Sequence, residues 1–121
     1  MHCIGVDIIE IARIQRAIDR WGESFLQRVY TEPELRLCRK KSGRLAARFA
    51  GKEAVMKALG TGARGISWRE IEILAEPSGK PLVRLYGKAQ AQADALGLDK
   101  LAISLSDSEE YAIAFVVGET K

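Results

Sequence analysis

The sequence predicts an α+β fold: a single domain, residues 1–121, with a mainly antiparallel sheet packed on a long buried helix. Three observations carry that expectation. Helical and extended patterns are partly segregated along the chain, where a parallel sheet would need them to alternate. The later strands are joined by short turns as hairpins, which pair antiparallel. Residues 44–59 form a helix that is apolar on two opposite sides, the mark of a helix enclosed by other elements. With 121 residues, 47% of them hydrophobic, the chain can enclose one core without disulfides or a structural metal.

Residues 2–8 read as a buried, central strand carrying Cys3, Ile4, Val6 and Ile8 and ending near Asp7. Ile11, Ile14, Ile18 and Trp21 recur at helical spacing, so residues 10–21 are an amphipathic helix. A short helical stretch around Phe25, Leu26 and Val29 follows. Thr31-Glu32-Pro33-Glu34 is a capping box with proline in the first turn and starts another helix, which the basic segment Arg39 to Gly43 interrupts. The 44–59 helix is stopped by Gly60 and Gly62. Ile71 and Ile73 alternate with Glu70 and Glu72 as a half-exposed strand, and a turn at residues 77–81 returns Leu82 to Tyr86 as its hairpin partner. An alanine-rich helix covers residues 88–96, closed by Gly97. Strands at 101–106 and 111–117 flank the polar turn Asp107 to Glu110.

No apolar run approaches the ~20 residues a membrane span needs. The N-terminal residues lack the basic-then-apolar pattern of a signal peptide, and Cys3 and Cys38 have neither metal nor redox spacing. A cytoplasmic protein with two free thiols is expected. The net charge of +3 and a pI of about 9.0 favour anionic partners: phosphates, nucleic acid or an acidic protein.

The candidate chemistry centres on the apolar helix. Leu45, Phe49, Met56 and Leu59 share one arc; Ala47, Ala50, Ala54 and Ala58 share the opposite one. Arg48, Lys52, Glu53 and Lys57 are nevertheless set into this helix. Charged groups are rarely buried unless paired or bound to something. Intrahelical pairing of Glu53 with Lys57 is one reading; a bound polyanion is the other. Asp7 either caps the helix that starts near Glu10 or meets Glu53, in which case the two carboxylates need a cation between them. Mg²⁺ suits such a pair, since it takes oxygen ligands from one or two carboxylates, substrate phosphates and water. The loop Gly60-Thr61-Gly62 follows a helix C-terminus and is not a phosphate loop of the helix-start type. Arg13, Arg16 and Arg20 line the face of the first helix opposite its apolar stripe. That face is either simply solvated or a docking surface for an acidic partner or nucleic acid.

Three blocks together resemble a known family. They are Gly5-Val6-Asp7-Ile8-Ile9-Glu10 with Arg13; Arg48-Phe49-Ala50-Gly51-Lys52-Glu53-Ala54 continuing to Lys57-Ala58-Leu59-Gly60-Thr61-Gly62; and Gly79-Lys80-Pro81. Ile103-Ser104-Leu105-Ser106 followed by Tyr111-Ala112-Ile113-Ala114 completes the pattern. In this order and spacing the sequence is similar to holo-acyl-carrier-protein synthases, the short bacterial type of phosphopantetheinyl transferase.

The resemblance implies the 4′-phosphopantetheinyl transferase fold and transfer of 4′-phosphopantetheine from coenzyme A to a serine of apo-acyl-carrier protein in fatty acid biosynthesis. It implies Asp7 and Glu53 as Mg²⁺ ligands, with Glu53, Lys57 and Asp7 forming the catalytic group. Arg48, Lys52, Lys57, Gly60, Thr61, Gly62 and Pro81 match positions near the coenzyme's phosphates and 3′,5′-ADP portion. Arg13, Arg16 and Arg20 then meet acidic residues of the acyl-carrier protein, with neither nucleic acid nor membrane as partner. A homotrimer with sites at subunit interfaces is implied as well. Many members carry histidine where this chain has Asp107, and the only histidine here is His2, so no catalytic histidine is expected. Two alternatives stay open: a transferase serving a polyketide or peptide synthase carrier, and a non-catalytic module binding acidic protein or nucleic acid.

Overall fold

The computed structural model describes residues 1–60 and 64–121. The chain runs β1 (His2–Glu10), α1 (Ile11–Trp21), α2 (Glu23–Val29), α3 (Glu32–Cys38), α4 (Ser42–Leu59), β2 (Ile71–Ala75), β3 (Pro81–Leu85), α5 (Gly87–Ala95), β4 (Leu98–Asp107) and β5 (Tyr111–Thr120). All strand pairs are antiparallel, in a three-stranded sheet ordered β1-β5-β4 and a separate hairpin β2-β3. The α+β expectation holds, with the antiparallel pairing divided between two sheets.

Helix α4 is the centre of the fold. Both of its apolar sides are buried: Leu45, Met56 and Leu59 on one, Ala47, Ala50, Ala54 and Ala58 on the other, with Phe49 half-buried. The small side chains let the three-stranded sheet come close. At Gly5 the approach is closest, because a β-carbon there would collide with the Ala54 carbonyl and lie 3.0 Å from the Ala58 nitrogen. On another side of α4, Gly51 sits against the side chains of Ile73, Ile103 and Leu105, so the helix is wedged between the two sheets. Gly60 closes the helix in the left-handed region (φ 76°), its N–H donating to the carbonyls of Met56 and Lys57.

The capping box of α3 forms as expected: the Thr31 side chain accepts from the Glu34 N–H and the Glu34 carboxylate accepts from the Thr31 N–H. Arg39 and Lys40 both take positive φ (50° and 60°), which breaks the chain between α3 and α4 at the expected basic segment.

Several expectations need correction. β1 is an edge strand, longer than expected, and β5 is the central one. Ile4, Val6 and Ile8 are 59%, 46% and 61% exposed; only the other face, with Gly5 and Ile9, is covered by α4. Strand alternation puts these three apolar residues on the outer face, beside Ile113 and Phe115 of β5. Trp21, placed on the apolar stripe of α1, is also exposed. Glu72 is not the solvent-facing residue of a half-exposed strand: it is buried, accepting from the hydroxyls of Thr31 (2.7 Å) and Tyr86 (2.9 Å). Glu70 precedes β2, in a short 3-10 turn, and accepts from the backbone N–H groups of Ser67 and Lys88. Among the described residues no helix is long and apolar enough to cross a membrane.

Replacing Gly5 by alanine should push β1 away from α4 and cost about 1–3 kcal/mol, the usual scale for overpacking. Chemical denaturation measures this; an unchanged unfolding midpoint would mean that the strand and helix are not in such close contact.

Candidate active site

The alternation of β1 gives Asp7 the same facing as Gly5 and Ile9, towards α4. The gap that Gly5 leaves therefore brings the Asp7 carboxylate beside the second half of the helix. Lys57 Nζ donates to Asp7 Oδ1 and to the Val6 carbonyl, each at 3.0 Å. Of the two readings the sequence left open, the intrahelical pair of Lys57 with Glu53 does not form; the partner of Lys57 is the carboxylate on the neighbouring strand. Asp7 does not cap α1 either, since Glu10 is the N-cap residue and no side chain bonds there.

Glu53 is half-buried one turn before Lys57. Burial raises its carboxyl above the usual carboxylate range, and the negative charge of Asp7 raises it further. The charges of Lys57 and Arg13 work in the opposite direction. Four charged groups from β1, α1 and α4 thus act on one another at this flank: Asp7, Glu53, Lys57 and Arg13.

Arg48 lies elsewhere. At 100° per residue it stands about 140° round the helix from Glu53. Its Nε donates to the Ile73 carbonyl of β2 at 3.4 Å. Here Arg44, Ala47, Arg48, Gly79, Pro81, Leu105 and Asp107 line a cavity of about 260 Å³. Two guanidinium groups in a small cavity suit phosphate, which arginine binds with a planar fork of donors. The chain therefore brings Asp7, Glu53 and Lys57 together on one flank of α4, and Arg48 with Pro81 on another.

Lys52 belongs to neither cluster. Its ammonium is fully buried and donates to Glu34 Oε1 (2.8 Å) and to the carbonyls of Trp68 (3.0 Å) and Ile71. Burial lowers its pKa, with the Glu34 carboxylate opposing that shift. All three donors are used inside the protein, so Lys52 has none left for a coenzyme phosphate, contrary to the expectation. Gly60 is exposed at the end of α4; Thr61 and Gly62 lie outside the described residues.

Arg13, Arg16 and Arg20 are exposed along α1, as their spacing requires. The Arg20 guanidinium lies over the Trp21 ring, 4.9 Å from its centroid. Beside it Trp21, Ser24, Phe25 and Arg28 line a cavity of about 390 Å³, which extends the basic face onto α2. Sequence reasoning missed Phe25 and Arg28 as surface features, and it missed Arg44 and Leu105 beside Arg48. Arg44 carried a usable signal, standing one helical turn before Arg48; the other three came together only through the fold.

The family model for the 4′-phosphopantetheinyl transferase superfamily matches residues 3–116. The chain belongs to that superfamily. It is 52% identical to the holo-[acyl-carrier-protein] synthase of Herpetosiphon aurantiacus over 98% of both chains. Its identity to the Dehalococcoides mccartyi holo-[acyl-carrier-protein] synthase is 53%, over 95% of this chain and 96% of that one. The fold matches the crystal structure of Helicobacter pylori holo-[acyl-carrier-protein] synthase in complex with coenzyme A, with a TM-score of 0.87 and 37% identity. That match covers 96% of this chain and 99% of the other.

Within this phosphopantetheinyl transferase, Asp7→Asn should bring the Glu53 carboxyl part of the way back towards the ordinary range, because burial, the larger cause, remains. Carboxyl-carbon NMR titration reads the change. A Glu53 titration that does not move would mean that the two carboxylates do not interact.

Proposed function

We propose that this chain transfers 4′-phosphopantetheine from coenzyme A to a serine of apo-acyl-carrier protein, releasing 3′,5′-ADP, in cytoplasmic fatty acid biosynthesis. The observation that carries the reading is the meeting of Asp7, Glu53 and Lys57 beside α4 in a member of this superfamily. Asp7 and Glu53, near enough that the charge of Asp7 raises the Glu53 carboxyl, form a hard, oxygen-only donor set, and Mg²⁺ would fit it with substrate phosphate and water as further ligands. Asp7 and Glu53 would hold that ion, which when bound neutralises charge on the coenzyme pyrophosphate. Lys57 binds phosphate next to them and stabilises the departing 3′,5′-ADP. Glu53 receives the proton of the attacking serine, directly or through a water. The serine oxygen bonds to the phosphorus that bears pantetheine, and the bond from that phosphorus to the 3′,5′-ADP oxygen breaks.

The cavity with Arg44, Arg48 and Pro81 holds the 3′,5′-ADP end of coenzyme A. Since it lies on a different flank of α4 from Asp7 and Glu53, a complete site combines one cluster from each of two copies, in a homotrimer. The exposed apolar face of β1 and β5, with Ile4, Val6, Ile8, Ile113 and Phe115, supports burial between copies. Arg13, Arg16 and Arg20, with Trp21 and Phe25 beside them, dock an acidic helix of the carrier. Arg13, which also acts on Glu53, links that surface to the reacting group.

Mass spectrometry of apo-carrier protein incubated with the chain, coenzyme A and Mg²⁺ should show a gain of roughly 340 Da, the mass of the transferred cofactor arm. Asp7→Ala and Glu53→Ala should lower turnover by orders of magnitude while leaving the fold intact, and Arg20→Glu should raise KM for the carrier but not for coenzyme A. Unmodified carrier, or full activity in both carboxylate variants, would refute the reading.

A further inference from the structure

Among the described residues no strand covers the β2 edge of the hairpin β2-β3, and charged side chains finish it instead. Residues 71 and 73 of β2 stand opposite Leu85 and Val83 of β3, yet their backbone groups turn outward to α3 and α4. The Ile73 N–H donates to Glu34 Oε2 at 2.7 Å, while the Ile71 carbonyl accepts from Lys52. The Ile73 carbonyl accepts from Arg48. Glu34 and Lys52 are both fully buried and joined at 2.8 Å, and the other Glu34 oxygen bond is the capping bond to the Thr31 N–H.

This edge bonds directly to a residue of the arginine cavity. Arg48 takes its place from the Ile73 carbonyl, and Ile73 takes its place from Glu34. Gly79 and Pro81, at the tip of the same hairpin, form part of the cavity wall, and Pro81 pairs with Ala75 at the end of β2. A plain packed core would seat the hairpin approximately. A carboxylate that accepts three bonds and an ammonium that donates three fix its height and register against α4.

We propose that Glu34 and Lys52 are positioning residues for coenzyme binding: they hold β2 against α4 so that Arg48 and the Gly79–Pro81 turn keep the spacing that 3′,5′-ADP requires. Neither residue touches the ligand. The inference rests on the reading of the arginine cavity as the 3′,5′-ADP half-site. It also gives Lys52 a role in coenzyme affinity other than the direct phosphate contact the sequence implied.

The test uses the full chain with 3′,5′-ADP as the calorimetric probe, alongside steady-state KM values and thermal unfolding. Glu34→Asp keeps the charge but shortens the reach of the carboxylate to Ile73 and Lys52. The double variant Glu34→Gln with Lys52→Met leaves no unpaired buried charge, so it keeps a folded protein available if either single neutralisation unfolds the chain. Both should melt cooperatively and bind 3′,5′-ADP more weakly by about tenfold, the scale on which a small displacement of a binding group is felt. KM for coenzyme A should rise with it, while KM for the carrier protein stays as in the wild type. Wild-type 3′,5′-ADP affinity in these folded variants, with Arg48→Ala weakened, would overturn the positioning role. An equal rise in both KM values would overturn it too, as general loosening. Undiminished 3′,5′-ADP binding by Arg48→Ala would instead remove the half-site reading on which the inference stands.

Discussion

The structure depends on a strand and a helix brought together with no side chain between them. Where β1 crosses α4, residue 5 has only hydrogen to offer, and the Ala54 carbonyl occupies the space a methyl group would need. That approach sets the position of Asp7 two residues later, and with it the pair formed with Lys57 and the repulsion felt by Glu53. The site is thus a consequence of backbone packing: polar groups could not be aligned so closely by their own exposed ion pair, since pairs of this kind contribute at most about 1 kcal/mol.

A helix enclosed on two opposite sides must account for each charge it carries, and α4 does so in three ways. Lys52 finds a complete set of acceptors within the protein. Lys57 and Glu53 reach the rim, where β1 supplies a carboxylate. Arg44 and Arg48 look into a cavity closed by the hairpin turn and by Asp107. Two of these solutions leave charge available to a ligand and one does not. In the proposed assembly the two available clusters, which face different ways in one copy, meet across a subunit boundary lined by the exposed apolar face of β1 and β5.

Much of this was legible in the sequence because the relevant signals are local. The capping box at Thr31 and Glu34, the glycine stop at Gly60, the hairpin turns and the two-sided apolar wheel of α4 all read correctly, within a residue or two at their boundaries. Other features depend on partners distant in the chain. A helical wheel cannot tell that Lys52 points at an acid of α3 while Arg48 points at a cavity, because both are cations four residues apart. Period-two alternation placed Glu72 in solvent, but the hydroxyls of Thr31 and Tyr86 draw it inward. The apolar run of β1 read as a strand buried on both faces; one of those faces is open in the single chain. A meeting of Asp7 with Glu53 was one of two readings the residues left open, the other being a cap on α1, and the effect of the Asp7 charge on Glu53 favours the meeting.

The central claim is that α4 divides the site, so that the carboxylates of one copy work with the arginines of another. Co-expression of Glu53→Ala and Arg48→Ala chains, with separate tags to isolate mixed assemblies, tests it directly. Each variant alone should be nearly inactive, and the mixed assemblies should regain part of the wild-type transfer rate, because some interfaces then join an intact Glu53 to an intact Arg48. Mixed assemblies as inactive as their parents would contradict the account, placing both clusters in the service of one chain.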